Sequence, residues 1–222
     1  MIPRLVIFDV DGTLVDSQHH IHASMAEAFL LRGHVAPELA AVLAIVGLSL
    51  PEAVARLAPD LPEGERGSIV EGYRASFSGQ RAAGTAPLYP GIAEALQVLA
   101  ARDDLLLGLA TGKSRRGLVH LLHAHGIDDL FVTRQVADDH PSKPHPSMIL
   151  AALAETGIAP QDAVMIGDTT YDMDMARAAG IGALGVAWGY HPAGALLAAG
   201  AGGVIAHGAD LVPALDALWG AA

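Results

Sequence analysis

Two carboxylates follow a short apolar run near the start of the chain, in the sequence Asp9-Val-Asp-Gly-Thr13. The apolar run, Leu5 to Phe8, predicts a buried strand, and side chains two residues apart in an extended segment lie on the same side. Asp9 and Asp11 can therefore face one ligand, with a divalent cation such as Mg2+ between them and an anionic substrate. Gly12 lets the backbone approach a phosphate, and Thr13 adds a hydroxyl donor. An acidic turn that caps a helix is the alternative interpretation.

A second set of candidate residues lies in Thr111-Gly-Lys-Ser114. The Thr111 hydroxyl and the backbone N–H of Gly112, at a turn from a strand into a helix, can hold a phosphate; an ordinary turn and N-cap would have the same sequence. The chain contains only two lysines, against eleven arginines, and both follow predicted strands. Lys143 lies among prolines that stiffen its loop, in Ser142-Lys-Pro-His-Pro146, and we predict that it contacts phosphate. Lys113 fits a solvated surface lysine better.

Three more carboxylates follow a later apolar run, Ala163 to Ile166. Asp168 stands at the end of that predicted strand, as Asp9 does at the end of the first, so we expect it to bind the same cation. Asp172 opens the next helix, and three roles stay open for it: an N-terminal cap, a ligand to a metal-bound water, and a contact to Lys143. Asp174 is expected to be solvated.

The elements that position these residues follow an alternating order. Continuous apolar runs predict strands that are buried on both faces, and helical patterns between them end at glycines suited to a C-cap. The further predicted strands are Leu105–Ala110, Leu130–Val132, Ala163–Ile166 and Ile181–Val186. This order predicts an α/β fold, a doubly wound parallel sheet with a Rossmann-like core, whose ligands bind at the carboxyl ends of the strands.

One long segment interrupts the alternation. Between Ser17 and Pro87 only helical patterns occur, so we predict an all-helical cap domain over residues 17–87. The catalytic α/β core domain then consists of residues 1–16 and 88–222, and the turn-rich segment Pro87 to Gly91 is a hinge or linker.

Composition limits the partners. The 222-residue chain carries a net charge of -11, which repels nucleic acid and anionic membranes, so we expect a small phosphorylated molecule as the substrate. It contains no cysteine, which excludes thiolate chemistry and suits a reducing compartment. No signal peptide or apolar stretch long enough for a membrane span is evident, so we expect a cytoplasmic protein; nothing in the sequence indicates its oligomeric state.

Four motifs together carry a resemblance. The ordered set Asp9-x-Asp-Gly-Thr13, Thr111-Gly112, Lys143 and Gly167-Asp168-x-x-x-Asp172 resembles the haloacid dehalogenase superfamily of phosphohydrolases, in the subgroup with a helical cap. Within that subgroup the phosphoglycolate phosphatases are most similar, since they share the run from Asp11 to Ser17.

The resemblance implies a role for each residue. Asp9 would be the nucleophile that forms an aspartyl-phosphate, and Asp11 the acid and base. Thr111, the Gly112 backbone N–H and Lys143 would hold the phosphoryl oxygens. Asp9, the carbonyl of Asp11 and Asp168 would bind Mg2+. The function so predicted is a Mg2+-dependent phosphatase for a small phosphomonoester such as 2-phosphoglycolate.

Other functions stay open at this point. A dehalogenase would lack Asp11, and a phosphonatase would need a lysine within residues 17–87, where there is none. A sugar-phosphate mutase and a non-catalytic phospho-receiver or binding module are the remaining alternatives. Histidines at the start of the predicted cap indicate an exposed helix face more than a metal site, and cap arginines are candidates for a substrate carboxylate; these residues are His19, His20, His22, Arg56, Arg74 and Arg81.

Overall fold

The sheet is parallel and doubly wound. A computed structural model describes residues 3–220, except for the side chains of residues 80–83. The strands of this part of the chain are β1 (Arg4–Phe8), β2 (Leu105–Thr111), β3 (Thr133–Val136), β4 (Ala163–Gly167), β5 (Gly182–Val186) and β6 (Val204–Ile205). They form one sheet in the order β3-β2-β1-β4-β5-β6. The predicted fold class is therefore confirmed.

Helices cover both faces of the sheet. On one face lie α5 (Ile92–Ala100), α6 (Arg115–His125) and α10 (Leu211–Gly220), and on the other α7 (Ser147–Thr156), α8 (Thr170–Ala179) and α9 (Ala193–Ala199). Strand β1 shows why its run is continuously apolar: Val6 and Phe8 enter the first layer, whereas Leu5 and Ile7 enter the second. Successive side chains of a strand point to opposite faces, so a central strand needs apolar residues at every position.

Four helices lie between β1 and α5: α1 (Gln18–Leu30), α2 (Leu39–Leu43), α3 (Leu50–Leu57) and α4 (Glu63–Ala83). We refer to residues 18–83 as the helical insert. It has an apolar cluster of its own, in which Met25 of α1, Val54 of α3 and Ile69 of α4 are almost completely buried. None of the helices within residues 3–220 is both long and apolar enough to cross a membrane.

The third strand was predicted in the wrong place. Leu130 closes a short 3-10 turn, and the strand runs over Thr133–Val136 instead of Leu130–Val132. This strand pairs only with β2 and forms an edge of the sheet. Its buried polar side chains are satisfied by hydrogen bonds, because Gln135 donates to Glu155 at 2.8 Å and Thr133 donates to the same carboxylate. A strand with hydrogen-bonded polar residues has no continuous apolar run.

The order of the strands brings the candidate residues together. Strand β1 pairs with β2 on one side and β4 on the other, and Phe8 lies level with Leu109 and Ile166. The residues that follow these three strands therefore meet at one edge of the sheet, as expected for a doubly wound fold.

Candidate active site

A buried cluster of charges lies where β1 ends. Asp9 is 1% exposed, and the ammonium of Lys143 lies 2.8 Å from its Oδ1 atom. The same ammonium lies 2.7 Å from Oδ1 of Asp172. Apart from this ion pair with Lys143, the carboxylate oxygens of Asp9 have no hydrogen-bond partner among the described residues. A buried oxygen without a partner is costly, so Asp9 is ready to accept a further ligand.

The pKa values of this cluster are strongly perturbed. Burial raises the pKa of Asp9 to about 7, although the charge of Lys143 opposes this shift. Burial also raises the pKa of Asp168 well above its usual range, and the charges of Asp9 and Asp172 add to the shift. Burial alone would lower the pKa of Lys143, but the charges of Asp172 and Asp9 outweigh it and raise that pKa. Of these three buried carboxylates, Lys143 pairs with Asp9 and Asp172, and a further cation would relieve the repulsion among all three.

The donor set fits a hard divalent cation. Asp9, Asp168 and Asp172 are all buried and each offers an oxygen within 4.8 Å of the others. Asp168 is held by two donors: the Thr13 hydroxyl at 2.8 Å and the Tyr190 backbone N–H at 2.9 Å. Carboxylate oxygens are ligands that Mg2+ prefers. Since Asp9 has no hydrogen-bond partner other than Lys143 among the described residues, its carboxylate is available to such a cation.

Asp172 is held on both sides. Its Oδ1 accepts from Lys143, while its Oδ2 accepts from the backbone N–H and the hydroxyl of Thr169 at 3.1 Å and 2.7 Å. Thr169 in turn caps α8, so the two residues form a capping box. Two of the three roles that the sequence left open, the helix cap and the contact to Lys143, occur together in the structure. Asp174 pairs with Arg177 one turn along the same helix.

Asp11 has a different set of partners. The ammonium of Lys113 donates to both of its carboxylate oxygens, at 2.6 Å and 2.8 Å, and the Ser17 hydroxyl donates to Oδ1. The Lys113 side chain is only 9% exposed and lies over the ring of Phe77 from the helical insert, 5.2 Å from its centroid. The expectation that Lys113 is a solvated surface lysine was wrong, because the end of β2, which carries Lys113, lies beside the end of β1, which carries Asp11, and Phe77 of the insert covers the ammonium.

The helical insert contacts the strand ends directly. A Cβ atom added to Gly112 would lie 2.5 Å from the carbonyl oxygen of Leu48 and 2.7 Å from that of Gly47, so only glycine fits there. The backbone N–H of Ser49 donates to the Ser142 hydroxyl at 2.8 Å. Residues 47–49 of the insert are thus packed against the loops that follow β2 and β3.

A second group of contacts joins the insert to α8. The Tyr171 hydroxyl donates to the Ala44 carbonyl at 3.0 Å, and Arg56 of the insert donates to the same hydroxyl at 3.1 Å. The Arg56 guanidinium also lies over the Tyr171 ring, 5.2 Å from its centroid. Because Tyr171 belongs to α8, these bonds join the insert to the helix whose first turn contains Asp172.

A cavity of about 670 Å³ lies between the insert and the strand ends. Among the nine predicted site residues, four line it: Asp9, Asp11, Thr111 and Gly112. The insert contributes mainly apolar side chains, among them Ile21, Met25, Val46, Leu48, Tyr73 and Phe77. Such a chamber, apolar on one side and acidic on the other, has the usual form of a small-molecule site.

Gly12 and Thr13 lie in the turn after β1 and hold other site residues in place. Gly12 has a φ of +87°, and a Cβ atom there would lie 2.2 Å from Oδ2 of Asp168, so both its conformation and its space require glycine. The Thr13 hydroxyl, expected to face the substrate, donates to Asp168 instead, while its carbonyl accepts from the Trp188 indole at 3.0 Å. Both residues therefore position Asp168 or the turn that carries Asp9.

Sequence reasoning missed the loop that follows β5. Tyr190 holds Asp168 through its backbone N–H, and its hydroxyl lies 3.3 Å from that of Ser17, which binds Asp11. The signal for this loop was available, because Trp188-Gly-Tyr190 directly follows a predicted strand whose carboxyl end lies at the same edge.

The remaining candidates lie outside the charged cluster. His19 is exposed, and His22 lies 3.3 Å from the Pro37 carbonyl through its ring nitrogen. Arg74 pairs with Glu71 at 2.5 Å on α4 and reaches the wall of the cavity. The side chain of Arg81 lies outside the described residues.

Comparison with known families agrees with this geometry. The family model described as haloacid dehalogenase-like hydrolase matches residues 6–186. The chain belongs to the haloacid dehalogenase-like hydrolase family. The resemblance predicted from the four motifs is thus confirmed.

Relatives and solved structures of this family cover almost the whole chain. A protein of Dickeya dadantii named "Probable phosphatase IndB" is 36% identical over 220 residues, which cover 96% of this chain and 94% of the relative. A phosphoglycolate phosphatase of Yersinia pestis is 31% identical over 216 residues, 96% of this chain and 93% of its own. A haloacid dehalogenase-like family protein from Streptococcus pneumoniae, 26% identical, has a TM-score of 0.84 and covers 96% of this chain and 98% of that chain.

Proposed function

We propose that this chain is a Mg2+-dependent phosphatase that hydrolyses a small phosphomonoester through an aspartyl-phosphate on Asp9. The observation that carries the proposal is the buried Asp9 carboxylate at the floor of the cavity, which is ion-paired with Lys143 and has no other partner in the part of the chain that the structure describes. A carboxylate can attack a phosphate dianion only where positive charge offsets both, and Lys143 supplies part of that charge. Relatives named as phosphatases support the same reaction class.

Asp9 acts as the nucleophile. One of its oxygens forms a bond to phosphorus while the bond from phosphorus to the leaving-group oxygen breaks. Lys143, held in place by Asp172, stays beside the reacting oxygen throughout. Asp9, the backbone carbonyl of Asp11 and Asp168 would hold Mg2+, which when bound neutralises charge on the phosphoryl oxygens.

Asp11 handles the protons. It gives a proton to the leaving oxygen in the first step and takes one from the water that hydrolyses the aspartyl-phosphate in the second. The Ser17 hydroxyl fixes the orientation of this carboxylate at the cavity wall, and in this structure the Lys113 ammonium pairs with it. The Thr111 hydroxyl and the Gly112 backbone N–H, which line the same cavity, would bind the remaining phosphoryl oxygens.

The helical insert and the residues that flank it form a cap domain, residues 17–87, and residues 1–16 with 88–222 form the core. The contacts of Gly112 with Gly47 and Leu48, and of Tyr171 with Ala44, hold it over the strand ends. Closure of this kind excludes water and limits the size of the leaving group. A small metabolite fits the chamber, whereas a phosphoprotein or nucleic acid does not, and 2-phosphoglycolate is the first candidate.

The test is hydrolysis of p-nitrophenyl phosphate and of a panel of small phosphomonoesters by the purified chain with Mg2+. We expect phosphate release that stops with excess chelator and returns with added Mg2+. Acid quenching during turnover followed by peptide mass spectrometry should detect phosphate on the peptide that contains Asp9. Turnover in excess chelator, or a covalent phosphate on another residue, would overturn the proposal. Interconversion of sugar phosphates without phosphate release would indicate a mutase.

A further inference from the structure

Lys113 has a position that the proposed chemistry does not require. Lys143 already offsets the charge of Asp9, yet a second ammonium lies in the cavity, 2.6 Å and 2.8 Å from the two oxygens of Asp11. Its side chain is 9% exposed and packs over the Phe77 ring. An ammonium so well shielded from water needs an anionic partner at all times.

The other cations at this cavity are placed differently. Arg74 is exposed and already paired with Glu71, and Arg116 is exposed on α6. Among the described side chains that line the cavity, Lys113 is therefore the sheltered cation nearest the acid and base. The leaving-group oxygen must come within hydrogen-bond reach of Asp11, and hence close to the ammonium that Asp11 holds.

We propose that Lys113 binds a carboxylate of the substrate, carried on the carbon bonded to the leaving-group oxygen. This inference rests on the proposed phosphatase function and specifies its substrate class as phosphate monoesters of 2-hydroxy acids, of which 2-phosphoglycolate is the smallest. On binding, Lys113 exchanges the carboxylate of Asp11 for that of the substrate, and Asp11 becomes free to serve the leaving oxygen.

This exchange of carboxylates explains why a substrate with a carboxylate would be preferred to one with a neutral leaving group. A neutral leaving group offers Lys113 no carboxylate to replace that of Asp11. Either Asp11 then stays in its ion pair and does not reach the leaving oxygen, or Lys113 is left as a buried ammonium without an anionic partner. Lys113 now contacts both carboxylate oxygens of Asp11 at similar distances. A carboxylate on the substrate offers two oxygens of the same kind in their place. The apolar wall from the insert, including Met25 and Val46, leaves room for a substituent on the same carbon.

The first test compares two nearly isosteric esters. We expect the wild-type chain to hydrolyse 2-phosphoglycolate with a kcat/KM about thirtyfold or more above that for 2-hydroxyethyl phosphate, as for a buried charge pair. Lys113→Met should abolish this preference, mainly through KM, and Lys113→Arg should restore part of it. Arg115→Met is the matched control: Arg115 is an exposed cation near Lys113 that pairs with Asp139, and its loss should leave the preference intact.

The second test needs no turnover, since Lys113→Met also disturbs Asp11. Calorimetric titration with Mg2+ present should show 3-phosphonopropionate binding more tightly than propylphosphonate to the wild type, and equally to Lys113→Met. Wild-type hydrolysis of both esters at equal kcat/KM, or an undiminished preference in Lys113→Met, would overturn this inference alone. A wild-type chain that hydrolyses no phosphomonoester would instead refute the proposed function.

Discussion

The ammonium of Lys143 lies 2.7 Å from Oδ1 of Asp172, and neither side chain has any exposure to solvent. Asp172 also completes the cap of α8 through Thr169, so the first turn of that helix determines where the ammonium lies. Helix capping and the charge beside Asp9 are thus two consequences of one carboxylate. Residues that orient a reacting group in this way often matter nearly as much as the group itself.

Asp172→Asn should lower kcat by about tenfold to a hundredfold, because an amide holds Lys143 less firmly beside Asp9. Steady-state kinetics on 2-phosphoglycolate and p-nitrophenyl phosphate measure the change. Asp174→Asn is the control, since Asp174 lies on the same helix and pairs with the exposed Arg177. Equal kinetics for the two variants would show that the contact between Asp172 and Lys143 has no part in the reaction.

Lys143→Ala should lower kcat by about a hundredfold or more, as for the loss of a donor to a charged transition state. Lys143→Arg should not restore it, because a planar guanidinium does not fit a site built around a compact ammonium with no exposure. Circular dichroism confirms that each variant is folded. If the arginine variant recovers most of kcat, any positive charge suffices at this position.

Asp168→Ala should weaken Mg2+ binding by about tenfold or more, because one of few protein oxygen ligands is lost. Thermal unfolding with and without Mg2+ measures this in the absence of substrate: the wild type should gain stability from Mg2+ and the variant much less. The control is Asp60→Ala, since Asp60 is an exposed acid of the insert that belongs neither to the cavity wall nor to the buried carboxylate cluster. The same gain in all three proteins would place the cation elsewhere.

Gly112→Ala should displace the insert, since its Cβ would lie 2.5 Å from the Leu48 carbonyl. We expect kcat/KM to fall by on the order of tenfold to a hundredfold. The control is Gly67→Ala on α4, where a Cβ meets nothing within 4 Å and helix propensity favours alanine by about 0.5 to 1 kcal/mol. Steady-state kinetics of the two variants measure the change. Full activity in Gly112→Ala would mean that the close approach of Gly112 to the Leu48 carbonyl is not needed for activity.

Much of the fold was predictable because central parallel strands need apolar residues on both faces. The positions of β1, β2, β4 and β5 follow from that rule within one residue or so. Strand β3 does not, since its buried Thr133 and Gln135 are satisfied by Glu155, and sequence patterns do not show such a distant hydrogen-bond partner. The short strand β6, of two residues, is too brief for any pattern.

In the candidate site too, some residues could be predicted from the sequence, whereas others depend on contacts between distant parts of the chain. Motifs at strand ends indicated Asp9 and Asp168, which the fold brings together because their strands, β1 and β4, are neighbours. Lys143 was indicated in the loop after β3, and it reaches Asp9 although β2 lies between β3 and β1. The partners of Asp11 were not foreseen, because Lys113 follows β2 and its burial depends on Phe77 of the insert, a contact between distant parts of the chain.

The central claim is that Asp9 is the nucleophile, and the rate of phosphate release by Asp9→Asn tests it most directly. The amide is nearly isosteric with the carboxylate and should leave the fold intact, as unchanged circular dichroism and thermal unfolding would show. With saturating p-nitrophenyl phosphate and Mg2+, we predict a kcat lower by about a thousandfold or more than that of the wild type. A folded Asp9→Asn protein that releases phosphate within about tenfold of the wild-type rate would contradict the account.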